Sequence, residues 1–333
     1  MRRRDFIAGV AGAVAWPLAT HGQQRQALPL IGVIDLGSAE TDAVGLAPFR
    51  QGLSDTGFVE GQNVAIEYRF ANGHLDLLPD LAADLARRKV AVFAAINPPA
   101  AFAARAADPT IPMVFHTGGN PVATGLISNL NRPGGNITAV NSMNNELLAK
   151  RLELLYQAVP RAARFALLID STLNRNAPDL VRELQSAASA FGIQLEILIV
   201  SSANAVSSEL DSAFDTMMQK RVEALIVAPG PLSRDSYVVA LASRYRMPAI
   251  YAYSWSAAAG GLMSYGAKIG ADNNSVLRIM GTYVGRILKG EKAGDLPVQR
   301  STNFDFVINL QTARALGLTL PPTLLALADD VIE

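Results

Sequence analysis

The sequence predicts an α/β protein built from two doubly wound lobes, each a parallel sheet covered by helices on both faces. Short β-branched runs alternate with longer stretches whose apolar residues recur at helical spacing. The alternation carries the same marks twice, once after Leu30 and again after Phe165. The chain has 333 residues, half of them hydrophobic. That is more than one core usually holds and enough apolar material for two.

Taken in order, a first strand is expected at Leu30–Leu36, a near-continuous apolar run of the kind a doubly covered strand requires. A helix over Ala43–Asp55 follows, stopped by Gly57. Strand Val64–Phe70, helix Leu75–Arg88, and strands Val90–Ile96 and Met113–His116 continue the alternation. Helix Asn145–Ala158, stopped by Pro160, leads to the second set. This set comprises strand Phe165–Asp170, helix Ala177–Phe191 ended by Gly192, strand Gln194–Val200, helix Ala203–Lys220 and strand Ala224–Ala228. Helix Ser236–Tyr245, strands Ala249–Ala252 and Gly261–Tyr265, helix Asn273–Leu288 and strand Phe304–Asn309 complete the pattern.

The internal echo is specific. Ile34-Asp35-Leu36 ends one strand and Ile169-Asp170-Ser171 another. Arg87-Arg88-Lys89-Val90 corresponds to Gln219-Lys220-Arg221-Val222, and Ile111-Pro112-Met113 to Met247-Pro248-Ala249. The expected lobes are residues 28–140 with about 262–300, and residues 141–261 with about 301–333.

In open parallel sheets, ligands bind beyond the carboxyl ends of the strands, where the strand order reverses. Here that places Gly37-Ser38, Asn97-Pro98-Pro99, Thr117-Gly118-Gly119-Asn120, Asp170-Ser171-Thr172, Pro229-Gly230-Pro231 and Tyr253-Ser254 at one cleft. Small polar residues and exposed amides suit a small polar ligand. Ser38, Asn97, Thr117, Asn120, Asp170, Ser171 and Tyr253 would supply polar contacts, with Pro229 on the rim. The Gly118-Gly119 amides could hold a carboxylate. His116, Tyr251 and Trp255 would shape the site. Each has a plainer alternative: His116 as an ordinary strand-end residue, Asp170 as a helix cap, the aromatics as hinge packing.

Much chemistry is missing. The three histidines, His21, His74 and His116, are dispersed, and with no cysteine they form no zinc pattern. There is no phosphate loop and no dinucleotide fingerprint. Gly261-Leu262-Met263-Ser264-Tyr265-Gly266 is one residue off a nucleophile elbow and falls on an expected strand. No catalytic residue, cofactor or metal is therefore expected. Acidic and basic residues balance at 29 each without a basic stripe, which argues against a nucleic-acid partner.

The chain opens with Arg3-Arg4-Asp5-Phe6-Ile7 and a short apolar run, Ala8–Ala19. This reads as a twin-arginine-like export signal over residues 1–22, with Thr20 and Gly22 small enough to precede a cleavage site. Without a cysteine for lipidation or disulfides, the exported form is expected to be soluble, in the periplasm of a double-membraned cell.

Several segments carry a family resemblance: Phe49-Arg50-Gln51-Gly52-Leu53, Gly57-Phe58-Val59-Glu60-Gly61-Gln62-Asn63-Val64, Asn131-Arg132-Pro133-Gly134-Gly135-Asn136, Lys150-Arg151-Leu152-Glu153, Gly260-Gly261-Leu262-Met263-Ser264-Tyr265-Gly266 and Gly285-Arg286-Ile287-Leu288-Lys289-Gly290. By these the chain resembles the substrate-binding proteins of ABC importers, in the subfamily related to tryptophan/tyrosine-binding lipoproteins. The resemblance implies a type I periplasmic-binding fold, with two lobes joined by three crossings and a ligand between them. It also implies a monomer that delivers its ligand to permease subunits in the inner membrane, without turnover. The chain departs from the family at Asn120, at Asp170-Ser171-Thr172-Leu173-Asn174 and at Ser254-Trp255-Ser256, all on expected cleft loops. The expected ligand is accordingly an amino-acid-like or aromatic organic molecule rather than tryptophan or tyrosine in particular. A periplasmic receptor for a membrane sensor is the alternative. An exported enzyme would need a reactive set that the sequence does not show.

Overall fold

The computed structural model describes residues 28–38, 46–171, 177–200, 207–268 and 275–333. The expected leader, residues 1–22, lies outside them, as do the first residues of the helices expected from Ala43, Ala203 and Asn273.

Thirteen strands among the described residues form two sheets. They are β1 Leu30–Asp35, β2 Ala65–Phe70, β3 Val92–Ala95, β4 Met113–Thr117, β5 Ile137–Asn141, β6 Arg164–Asp170 and β7 Gln194–Val200, then β8 Ala224–Val227, β9 Ala249–Tyr251, β10 Met263–Ala267, β11 Gln299–Arg300, β12 Phe304–Asn309 and β13 Asp330–Ile332. The helices are α1 Ala47–Asp55, α2 Leu78–Arg87, α3 Pro98–Ala107, α4 Leu148–Ala158, α5 Ala177–Ala190 and α6 Ser207–Gln219, then α7 Ser236–Arg244, α8 Ser254–Ala258, α9 Val276–Leu288, α10 Leu310–Leu316 and α11 Pro322–Leu325.

The duplication read from the sequence is present in the topology. The first sheet carries its strands in the order β2-β1-β3-β4-β5, and the second repeats this as β7-β6-β8-β9-β10. Every pairing within these two series is parallel. Beyond them the sheets differ. The two-residue β11 lies parallel beside β5, whereas β12 runs antiparallel beside β10 and is followed by β13. The chain thus passes between the sheets after β5, after β10 and after β11.

Both faces of each sheet are dry. Ile31, Val33 and Val92 point toward α1 and α9, while Ile34, Phe93 and Phe115 point toward α2 and α3. In the second sheet Phe165, Leu167 and Ile226 pack against α4 and α5; Ala166, Leu168 and Leu225 pack against α6 and α7. Helices α1 and α9 approach so closely that glycine is required at their contact. A Cβ on Gly281 would sit 2.0 Å from the Phe49 carbonyl oxygen, and one on Gly52 would sit 1.9 Å from that of Arg278.

Some expectations are corrected. The strand expected at Gly261–Tyr265 runs Met263–Ala267 and belongs to the second sheet, so the crossing expected near residue 262 comes after Ala267. The cause is Gly260, with φ of +107°, and Gly261, which form a turn rather than strand. The loop Asn97-Pro98-Pro99 is a helix start. Both prolines occupy the first helical positions, where no amide donor is needed, and Asn97 caps them by accepting from the Ala100 amide at 3.0 Å. Strands β5, β11 and β13 and helices α8, α10 and α11 were not expected.

Candidate functional site

The carboxyl edge of the first sheet is a bonded polar floor. Asp35 ends β1 and is 4 % exposed. Its Oδ1 accepts from the Asn97 side-chain amide at 2.6 Å and from the Gly37 amide at 3.1 Å. Asn97 thus serves twice, capping α3 with its oxygen and binding Asp35 with its nitrogen. This pair spans the point between β1 and β3 where the strand order reverses.

One strand further, Thr117 ends β4. Its hydroxyl donates to the Gly119 carbonyl at 3.1 Å and accepts from the Gly119 amide at 3.2 Å. The Gly119 amide is therefore already engaged within the turn. Ser142 donates to the Thr117 carbonyl, and the Asn145 amide donates to that of Gly118 at 2.8 Å. A Cβ on either glycine would meet the Asn145 side chain at about 3 Å, so the turn is tight as well as bonded. Asn120 is exposed, and its side-chain oxygen accepts from the Val122 amide at 3.0 Å. His116 is half-buried with Nδ1 3.0 Å from the Ile96 carbonyl. A carbonyl can only accept, so Nδ1 carries the proton. Ser38 is half-buried just past β1.

The second sheet presents Asp170 at the end of β6, 2 % exposed, followed by half-buried Ser171. Past β9, Tyr253 and Trp255 are half-buried at the start of α8. Buried Ser233 braces this edge: its hydroxyl accepts from the Ala252 amide at 3.1 Å, and its carbonyl accepts from Ser256 at 2.9 Å. Pro229 is buried.

Tyr251 does not join these residues. It is fully buried among Val238, Leu241 and Met247, and its ring lies where a Cβ on Gly261 would fall, 2.7 Å away. It lines a separate cavity of about 330 Å3 with Ala249 and Leu262, at the opposite, amino-terminal end of the strands. Its shaping role is therefore withdrawn. Burial pushes its phenol well above the usual range, and its hydroxyl has no hydrogen-bond partner.

Sequence reasoning missed three residues here. Asp35 was legible through the repeat, since it ends β1 as Asp170 ends β6. Asn144 and Arg151, at the first crossing between the sheets, are wholly buried. Desolvation pulls the Arg151 pKa down to about 10, and the guanidinium remains charged at neutral pH. Among the described residues no cluster of His, Asp and Glu could hold a metal ion, and no helix is long and apolar enough to cross a membrane.

A family model described as ABC transporter substrate binding protein matches residues 30–332. A tyrosine-binding protein of Clostridioides difficile is 26 % identical over 272 residues, covering 81 % of this chain and 75 % of that protein. Among solved structures, an ABC domain from Streptococcus pneumonia in complex with L-Trp superposes with a TM-score of 0.78 at 24 % identity, over 92 % of this chain and 100 % of the other. The ligand-free, open structure of a Clostridium difficile substrate binding protein with adhesive properties superposes at 0.61, also at 24 % identity, over 92 % and 99 % of the two chains.

Proposed function

The chain belongs to the ABC transporter substrate binding protein family, and from that premise we propose that it is the exported, periplasmic solute receptor of an importer. It binds one amino-acid-like or aromatic organic molecule between its two lobes. It passes that molecule, as a monomer, to permease subunits in the inner membrane, and it makes or breaks no bond. The observation that carries the reading is the repeated strand order with a buried aspartate at each reversal point, Asp35 and Asp170. Two such edges joined by three crossings suit closure of one lobe on the other around a guest. The relative described as tyrosine-binding and the L-Trp complex support the ligand class.

Within the cleft, Ser38, Asn97, Thr117, Asn120, Asp170, Ser171 and Tyr253 supply hydrogen bonds. Trp255 stacks on the ligand, and His116 presents its outer ring edge. Gly119 and Pro229 hold their loops in shape.

A thermal-shift screen with L-tyrosine, L-tryptophan and a panel of amino and aromatic acids tests this. A true ligand at a hundred times its dissociation constant stabilises the fold by about 2.7 kcal/mol. Trp255→Ala and Asn120→Ala should shrink that shift. An unchanged shift in both removes the site, and purified protein that converts a ligand to product removes the function.

A further inference from the structure

Arg151 is an anomaly in this core. Its guanidinium is 0 % exposed, yet every acceptor it meets is neutral. Nε donates to the Tyr265 carbonyl at 2.6 Å, and the two terminal nitrogens donate to the Asn144 carbonyl at 2.8 Å and to Asn144 Oδ1 at 3.2 Å. No carboxylate among the described residues pairs with it. A buried cation without a counter-ion is costly, and such charges are normally paired.

Its position gives the charge a use. Asn144 lies in the first crossing between the sheets, and its Oδ1 also accepts from the Ala267 amide, at the second crossing, at 2.9 Å. Arg151 therefore sits where two crossings are stitched together, beside the cleft loop: a Cβ on Gly266 would lie 2.8 Å from Asn144 Oδ1 and 1.9 Å from the carbonyl oxygen of Ala252, the residue before Tyr253. Bonds to neutral groups leave its field unquenched, and low-dielectric surroundings carry that field further than water would.

Resting on the binding reading above, we propose that Arg151 sets the charge specificity of the site: its uncompensated cation selects ligands bearing one carboxylate, through its field rather than by contact. One buried charge matches one negative charge; a phosphate dianion would call for a second cation.

Asn144→Asp tests this without removing the arginine. Every hydrogen bond of the Asn144 side chain is accepted by Oδ1, and Nδ2 is buried without a partner, so a carboxylate fits the same geometry. The probes are carboxylate–carboxamide pairs: L-tyrosine and L-tyrosinamide, L-tryptophan and L-tryptophanamide, 3-phenylpropionate and its amide. The wild type should favour the acid by about tenfold or more, and Asn144→Asp should erase most of that preference by weakening the acid alone. The Tm of Asn144→Asp should equal or exceed that of the wild type, because the variant supplies the missing counter-charge. Arg151→Met should lose the same preference if it folds. An unchanged acid-to-amide ratio in folded Asn144→Asp overturns the proposal. So does a wild type that binds amides as tightly as acids, and in that case the binding reading survives. If neither member of any pair binds, the receptor reading for this ligand class fails, and the role of Arg151 fails with it.

Discussion

The two sheets share a strand order but not the chemistry of their edges. Asp35 and Asp170 end equivalent strands, β1 and β6. Two residues past the next equivalent strand the first sheet has Asn97 and the second has Pro229. Asn97 donates to Asp35 at 2.6 Å, a bond that a proline side chain cannot make. Further along, Thr117, Gly119, Ser142 and Asn145 interlock on the first edge. Away from its edge, the second sheet buries Tyr251 and Ser264, whose hydroxyls have no partner. The repeat preserved the scaffold, where packing tolerates little, and left the edges to diverge. The first edge is held by its own side-chain bonds, with Asn97 on Asp35 and Thr117 on Gly119.

The lobes should therefore respond differently to substitution. The largest effect belongs to the first. Gly281→Ala drives a methyl into the backbone of α1 and should cost about 3 kcal/mol or more in chemical unfolding. Among the described residues, no helix of the second sheet contains a glycine, and none there can be broken this way. A Gly281→Ala protein as stable as the wild type would refute the close α1–α9 contact.

Next comes the pair of equivalent positions. Asn97→Ala removes both the α3 cap and a donor to a buried carboxylate, and should cost about 2 kcal/mol. Pro229→Ala should cost about 0.5–1 kcal/mol, chiefly by loosening the unfolded chain. Equal costs would erase the contrast between the edges. Tyr251→Phe, which deletes a hydroxyl that bonds nothing, should leave stability unchanged or raise it by about 1 kcal/mol. A clear loss would reveal a partner for that hydroxyl.

The smallest effect is electrostatic. Hydrogen bonds from Arg278, 2.7 Å away on α9, and from Gln51 hold the Asp55 carboxyl below its ordinary range. Because the folded-state pKa is depressed, the stabilisation is present above the unfolded pKa and is lost as pH falls through the folded one. Asp55→Asn should be slightly less stable than the wild type at pH 7, and the difference should vanish as the pH falls through the depressed folded-state pKa of Asp55. A difference that persists at low pH would assign the effect to something other than this ion pair.

The scaffold was largely legible because buried parallel strands announce themselves as apolar runs; β12 falls on Phe304–Asn309 as expected. Strand β11 has two residues and leaves no periodic trace. Thr117 and Asp170 lie at the carboxyl ends of their strands and Asn97 two residues past β3, as the sequence placed them, since strand ends can be read without knowing the packing. That reading misplaced Tyr251, because the pattern at a strand end does not say which way the last side chain turns. Arg151 was missed by charge: an arginine on a helix reads as a solvated face. Yet Leu148, Arg151, Leu152 and Leu155 share one stripe, and its spacing places the arginine inside.

The passage of the chain back through the first sheet has a consequence for synthesis. The α1 face of that sheet is sealed by α9, and its last strand is β11, which ends at Arg300. A ribosome must therefore make the chain through Arg300 before the first sheet can close its hydrophobic interior. Domains that mature sequentially as they emerge cannot be the model here. Both sheets wait for strands made late, β11 for the first and β13 for the second, which leaves the earlier strands uncovered in the meantime and suited to capture by chaperones.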